Sequence, residues 1–118
     1  MSRMQEIKPQ IKYEDFSKID IRVGKIEKVE DIPGSEKLLK LFVDFGNLGK
    51  RQILSGIKKD YSPKDLEGLQ ALFVLNLEPK KMMGLESQGM ILAVCSELDE
   101  RAVLVVPMQE VSLGLGVC

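Results

Sequence analysis

Apolar and polar residues alternate along much of the chain, with the period of two expected of strands that bury one face. Residues Ile19–Val23 alternate in this way. Gly24 and Lys25 break the phase, and the apolar positions resume at Ile26 and Val29 with shifted parity. A glycine at such a change of parity predicts a bulge or sharp bend. Small closed barrels need a bend of this kind, because it allows one long strand to contribute to two sides.

The next strands are separated by residues typical of turns. Apolar residues occupy every second position of Leu39–Phe45, and Gly46–Gly49 predicts a hairpin connection into a third strand over Lys50–Gly56. Ser62–Leu66 contains a capping serine followed by a proline at the first helical position, which predicts one helical turn. Leu69–Leu77 is almost continuously apolar, as expected of a central strand.

Two further strands, over residues 87–95 and 101–106, complete the pattern. Five or more strands, one of them bent, with a short helix after the third strand, predict an all-β fold. The specific prediction is an OB-fold, a five-stranded barrel, followed by a C-terminal β extension. A β-sandwich is the alternative, and the helical turn after the third strand favours the barrel. The predicted organisation is an N-terminal arm over 1–12, the barrel over 13–100 and the extension over 101–118.

The C-terminal extension is unusually apolar. After Arg101 the chain carries almost no charge beyond Glu110, while apolar residues recur up to Val117. The strands of a barrel are used up by about Val106, so the remaining apolar side chains would form an exposed patch on a monomer. We therefore expect a homodimer assembled through this segment. The alternative is a tail that folds back over the end of its own barrel.

Composition excludes several function classes. The chain has 118 residues, enough for one domain, and it contains no histidine and two cysteines, Cys95 and Cys118. The common zinc ligand sets and the commonest general base are therefore missing, so we expect no metal site, no cofactor and no catalytic centre. No apolar run approaches the roughly 20 residues that span a bilayer, and the polar N-terminus lacks the features of a signal peptide. A cytoplasmic protein without a membrane partner is expected.

Charge is unevenly distributed along the sequence. The net charge is −1, but residues 37–81 carry nine basic and five acidic residues. A local basic face is therefore possible on a slightly acidic protein. Aromatic residues make up only 5% of the chain, so any RNA binding is expected to depend on backbone charge and shape more than on base stacking.

Several motifs in fixed order resemble one known family. Tyr13–Gly24 resembles the opening of the tRNA-binding domain that is appended to many bacterial methionyl-tRNA synthetases and that also occurs in free-standing, structure-specific tRNA-binding proteins. Blocks similar to the family's follow in order at Ser35–Leu38, Arg51–Ile57, Asn76–Lys80 and Gly84–Met90. The resemblance covers nearly the whole chain from residue 13 onward. One departure is an isoleucine before the proline of the first loop, where the family often has histidine.

The resemblance implies a non-catalytic protein that recognises the folded shape of tRNA and assists aminoacylation. The implied partners are tRNA, a second copy of the chain and a methionyl-tRNA synthetase, for which the protein would be a β subunit or a trans-acting factor. The alternative is a secretion-related chaperone of the same fold, which would bind peptides in an apolar groove near Met82 and Met83. The Ser87–Met90 block favours the tRNA-binding branch, because the chaperones lack it.

The resemblance also implies a set of RNA-binding positions. Basic residues would neutralise phosphates, polar residues would bond phosphate and sugar oxygens, and a methionine would pack on a ribose or an end base. Ser55 and Asn76 have an alternative role in satisfying turn backbone, and Met90 has one in core packing. Lys81 is added to the set because it lies in the same polar loop as Lys80. The predicted residues are Lys37, Arg51, Ser55, Asn76, Lys80, Lys81, Ser87 and Met90.

Overall fold

The computed structural model describes residues 6–96 and 101–118, which form short strands with two single-turn helices. The elements in chain order are α1 (Tyr13–Phe16), β1 (Ile21–Asp31), β2 (Leu39–Asp44), a 3₁₀ turn (Gly46–Leu48), β3 (Lys50–Ser55), α2 (Pro63–Leu66), β4 (Gln70–Val74), β5 (Lys80–Met82), β6 (Leu85–Ser87), β7 (Met90–Ile91), β8 (Ala93–Ser96) and β9 (Arg101–Leu104).

Five strands form one antiparallel sheet in the order β3-β2-β1-β4-β7. The open edge of β3 is covered by the segment after β6, because the Gln88 amide donates to the Gln52 carbonyl at 2.9 Å. The sheet is therefore a nearly closed barrel, and α2 follows its third strand. The predicted OB-fold is confirmed.

The first strand takes part in two sides of the barrel, as the change of parity predicted. Residues 21–25 pair with β4 and residues 25–31 pair with β2. The register shifts between Ile26 and Lys28, slightly later than the predicted bulge at Gly24. Gly24 has a different role, because a Cβ atom there would lie 2.5 Å from the Phe45 ring. The glycine lets this ring pack directly on the strand.

The core follows the alternation of β2 and its neighbours. Leu39, Leu41 and Val43 are completely buried. The buried Phe45 and Phe73 rings pack edge to face, with their centroids 5.3 Å apart. The predicted pattern fails at the start of the first strand. Ile19 is 46% exposed, and the strand begins two residues later.

Several segments differ from the prediction. The polar loop expected around Lys80 and Lys81 contains, within residues 78–86, the hairpin of β5 and β6. The predicted strand over 87–95 is divided between the end of β6, β7 and β8. The strand predicted at 101–106 is shorter, and it pairs with β8 over residues 101–104.

The C-terminal tail returns to its own barrel. Gly114 donates its amide to the Val23 carbonyl at 2.8 Å, and the Val117 amide donates to the Ile21 carbonyl at 3.0 Å. The tail therefore lies along β1, as in the alternative weighed for this segment. It still presents apolar side chains to solvent, since Met108 is fully exposed and Leu115 is half exposed.

Candidate nucleic-acid interface

The most prominent basic feature is the β5–β6 hairpin, which we call the lysine hairpin (residues 80–87). Lys80 pairs with Ser87 and Lys81 pairs with Glu86 across the two strands. Consecutive strand residues point to opposite faces, so the two lysines flank the hairpin on both sides. Both are exposed, and neither forms an ion pair with a carboxylate among residues 6–96 and 101–118. Their charges are therefore available to an anionic partner.

The base of the lysine hairpin is fixed to the barrel by Arg51. Its Nη1 donates to the Leu75 carbonyl at 2.7 Å and to the Gln88 carbonyl at 2.9 Å, so one guanidinium joins the two ends of the segment that carries the hairpin. Gln88 also accepts a hydrogen bond from the Gln52 amide through Oε1 at 3.0 Å. These contacts hold a short, exposed hairpin in one orientation.

Two other predicted residues form hydrogen bonds between their side chains and backbone groups. Ser87 is buried; its Oγ accepts from the Leu54 amide and donates to the Gly89 carbonyl, each at 3.0 Å. Asn76 accepts from the Asp20 amide at 2.8 Å and donates to the Lys18 carbonyl at 2.6 Å. The structure thus places Arg51, Asn76 and Ser87 around the hairpin with their polar atoms engaged within the protein.

The remaining three predicted residues lie in a loop or at the end of a strand. Lys37 is exposed in the loop between β1 and β2. Ser55 is half-buried at the end of β3, where it pairs with Leu39. Met90 is 46% exposed beside the end of β4, so the core-packing alternative does not describe this side chain. In OB-folds the corresponding strands and loops form the usual ligand face.

An open cleft of about 680 Å³ separates the lysine hairpin from the loop between β1 and β2. Ser35, Lys37 and Leu38 line one wall, and Met82 and Met83 line the other. The cleft is mainly apolar inside, and its rim carries charged side chains.

One aromatic side chain on the outer face of the sheet, Phe42, was not among the predicted site residues. Phe42 is half-buried on β2, and the Lys28 and Lys40 ammonium groups lie 5.9 and 5.4 Å from its ring centroid. Glu30 pairs with both lysines, and the hydrogen bond from Lys28, followed by that from Lys40, lowers the pKa of this carboxyl. The sequence does indicate this position, because Phe42 lies two residues from Lys40 and therefore faces the same outer side of the strand.

Two further expectations concern absences. Within the ranges 6–96 and 101–118, the structure brings together no group of three metal-ligating side chains. In the same described ranges, no helix has the length and apolar character needed to cross a bilayer.

Comparison with known proteins places this geometry in a family. Residues 21–115 match the family model described as "Putative tRNA binding domain". The methionine–tRNA ligase of Archaeoglobus fulgidus is 50% identical over 113 residues, a match that covers 96% of this chain and 17% of the ligase. The chain therefore spans about a sixth of the length of that relative.

Solved structures give the same picture. A structure described as a MetRS related protein from Pyrococcus horikoshii is 40% identical, with a TM-score of 0.87 over 94% of this chain and all of that one. A structure described as the chaperone CsaA of Bacillus anthracis is 33% identical, with a TM-score of 0.84 over 93% of this chain and all of that one. The chain therefore belongs to the tRNA-binding domain family, and its barrel is homologous to the C-terminal domain of methionyl-tRNA synthetase.

Proposed function

We propose that the protein is a non-catalytic tRNA-binding protein that recognises folded tRNA in the cytoplasm and assists its aminoacylation. The observation that carries the proposal is the lysine hairpin, whose two ammonium groups are exposed and whose base is fixed by Arg51. A fixed basic element can match the spacing of phosphates on a folded RNA with little loss of conformational freedom. Family membership supports tRNA as the RNA concerned.

The experiment that tests this function compares ligands and salt. We expect the protein to bind folded tRNA more tightly than duplex DNA or unstructured RNA of similar length. The plot of log affinity against log salt should fall with a slope of magnitude about 3 to 6, because a handful of phosphates releases its counterions on binding. A slope near zero, or equal affinity for unstructured RNA, would contradict the proposal.

The proposed partner protein is a methionyl-tRNA synthetase, which this chain would serve as a β subunit or in trans. Support comes from the A. fulgidus ligase, in which the matching region is 17% of a longer polypeptide. We expect the catalytic polypeptide of the synthetase to co-purify with the protein from the cytosol of the cells that produce it. Aminoacylation of tRNA at limiting concentration should rise when the protein is added.

We further propose that the protein works as a homodimer. The C-terminal tail leaves Met108, Leu115 and Val117 exposed, and the segment before β1 leaves Ile11 and Tyr13 exposed. The tail bonds to the start of β1 through Val117, and the N-terminal segment precedes β1 in the chain. A second copy would cover this apolar surface and present a second lysine hairpin to the same RNA.

The alternative function is that of a peptide-binding chaperone, which the CsaA structure of B. anthracis favours as a neighbour of the same fold. The apolar side chains of Met82 and Met83 in the cleft would then hold the peptide. Salt separates the two functions, because contacts with phosphates weaken steeply as salt rises, whereas burial of apolar surface does not.

A further inference from the structure

The tip of the lysine hairpin has an unusual residue for its backbone conformation. The two-residue connection between the paired Met82 and Leu85 is formed by Met83, with φ of 52°, and Gly84, with φ of 77°. Tight hairpins with two positive φ angles strongly favour Asn-Gly or Gly-Gly. Met83 is the only non-glycine residue with positive φ among residues 6–96 and 101–118.

The strained position is not compensated by burial of its side chain. Met83 is 55% exposed, although a positive φ is unfavourable for a residue with an unbranched apolar side chain. A departure from local preference without a packing benefit is typical of a functional position. The side chain of Met83 therefore requires an explanation outside the core.

Met83 lies in the cleft, close to the loop between β1 and β2. Its Cε atom is 3.6 Å from the position that a Cβ of Gly34 would occupy, so the thioether reaches across to the opposite loop. Lys37 and Glu36 lie on that loop and line the cleft. Lys80 lies two residues before Met82, on the strand that leads to the tip. The cleft thus combines an apolar interior with one lysine in its lining and a second lysine on the adjacent strand.

We propose that this cleft receives an unpaired nucleobase of the bound RNA, with Met83 packed against the face of the base. Lys37 and Lys80 would neutralise the phosphates on either side of that nucleotide. This inference rests on the proposed tRNA-binding function and adds the structural feature of the RNA that the protein selects. A base within a duplex has both faces covered by its neighbours, whereas an unpaired base offers a free face and two flanking phosphates.

The chemistry of the side chain fits this occupant. A thioether is polarizable and flexible, and it makes no demand for a hydrogen-bond partner. It can therefore pack on any of the four bases, as apolar side chains do when they enter between bases in other nucleic-acid complexes. The resulting contact would select unpaired structure with little sequence preference.

The test uses Met83→Asn, which removes the apolar contact and places the preferred residue at this turn. We expect the melting temperature to stay the same or rise, because asparagine tolerates positive φ. Affinity for a tRNA transcript should fall roughly five- to thirty-fold, a loss typical of a stacked base. The slope of log affinity against log salt should not change, because no phosphate contact is removed.

The matched variants are Lys37→Ala and Lys80→Ala, each of which should reduce the magnitude of that slope by about 0.7 to 0.9 for one lost phosphate contact. A blunt-ended RNA duplex serves as the second ligand, and the protein and Met83→Asn should bind it equally. If Met83→Asn binds tRNA as tightly as the wild-type protein does, the inference is overturned and the proposed function stays intact. Equal losses on tRNA and duplex would also overturn it. A wild-type protein that binds no tRNA, or holds an apolar peptide in the cleft with salt-independent affinity, would overturn both.

Discussion

At the scale of single residues, the predicted RNA-binding positions divide into two groups. Lys37, Lys80 and Lys81 have exposed ammonium groups, whereas the polar atoms of Arg51 and Asn76 bond to backbone. Exposure could be anticipated from the polar, glycine-bounded segments around the lysines. A role of Asn76 in bonding to backbone was an alternative from the sequence, but its partners Lys18 and Asp20 could not be anticipated, because they are more than fifty residues away. Local sequence carries no information about such partners.

Asn76→Ala should therefore act mainly on stability. The substitution leaves the Asp20 amide and the Lys18 carbonyl without their partner, and the free energy of unfolding should fall by about 1–2 kcal/mol. Denaturant unfolding measures this loss. At a temperature where the variant is folded, its affinity for tRNA should match that of the unmodified protein. A lower affinity together with unchanged stability would instead indicate direct contact between Asn76 and the RNA.

Gly24 provides a second test of packing at a single position. Gly24→Ala should lower the free energy of unfolding by about 1–3 kcal/mol, because the new methyl would lie 2.5 Å from the Phe45 ring and 2.6 Å from Val43 in the close-packed core. The matched control is Gly56→Ala, where the nearest atom is 4.0 Å away and φ is not positive. Thermal melts of both variants check this contrast. Equal stability of the two would show that the ring can move away from β1.

At the scale of elements, long periodic strands were predictable and short irregular ones were not. The alternation of β2 gave its buried face directly, since Leu39, Leu41 and Val43 are completely buried. The lysine hairpin escaped detection because each of its strands has three residues and its turn contains Met83 instead of asparagine. Its strands are stabilised by contacts with β3, and the sequence of the hairpin alone does not encode them.

The lysine hairpin should contribute to affinity without contributing to folding. Lys80→Ala combined with Lys81→Ala should weaken tRNA binding by about 1–3 kcal/mol and leave the melting temperature nearly unchanged, as expected for exposed contacts. The matched control combines Lys59→Ala and Lys64→Ala, which removes two exposed lysines elsewhere on the chain. Anisotropy titrations with labelled tRNA compare the two pairs. Similar losses in both would mean that binding follows total charge and has no defined site.

Helix α2 has a cap that responds to acid. Hydrogen bonds from the Ser62 amide, at 2.9 Å, and then from its hydroxyl, at 3.0 Å, hold the pKa of Asp65 below its ordinary value of 3.8. A lowered pKa in the folded state stabilises the fold above the ordinary value. This contribution is lost as pH falls through the folded-state pKa.

Asp65→Asn should therefore reduce the dependence of stability on pH below about pH 4. Melting temperatures of the protein and the variant should differ near neutral pH and converge as the solution becomes more acidic. Asp60 is a poor control because it bonds to the Ala102 amide, so Glu14→Gln on exposed α1 is the better comparison. A constant difference across the acidic range would show that the carboxylate charge has no role in the cap.

At the scale of the whole molecule, the backbone of the C-terminal tail and its exposed side chains must be considered separately. Its backbone bonds to β1 of the same chain, as the Gly114 and Val117 amides show. Its exposed side chains form the surface that we propose to be the dimer interface. Removal of the whole segment would disturb both, because β1 would lose its bonds along one edge. Oligomeric state is therefore better tested by substitutions that change only exposed side chains.

Met108→Glu combined with Leu115→Glu should convert the dimer into monomers. Met108 is fully exposed and Leu115 is half exposed, so neither glutamate needs to enter the core of its own barrel. In the dimer, however, each would bury a charge without a partner, which is strongly unfavourable. Sedimentation equilibrium should give twice the 13.2 kDa chain mass for the unmodified protein and 13.2 kDa for the variant. Leu77→Glu, at an exposed position just before the lysine hairpin, is the control and should remain dimeric.

The monomeric variant should melt cooperatively and bind tRNA more weakly, because it presents one lysine hairpin instead of two. An unmodified protein that sediments at 13.2 kDa would exclude the dimer, and the tail would then serve only its own barrel.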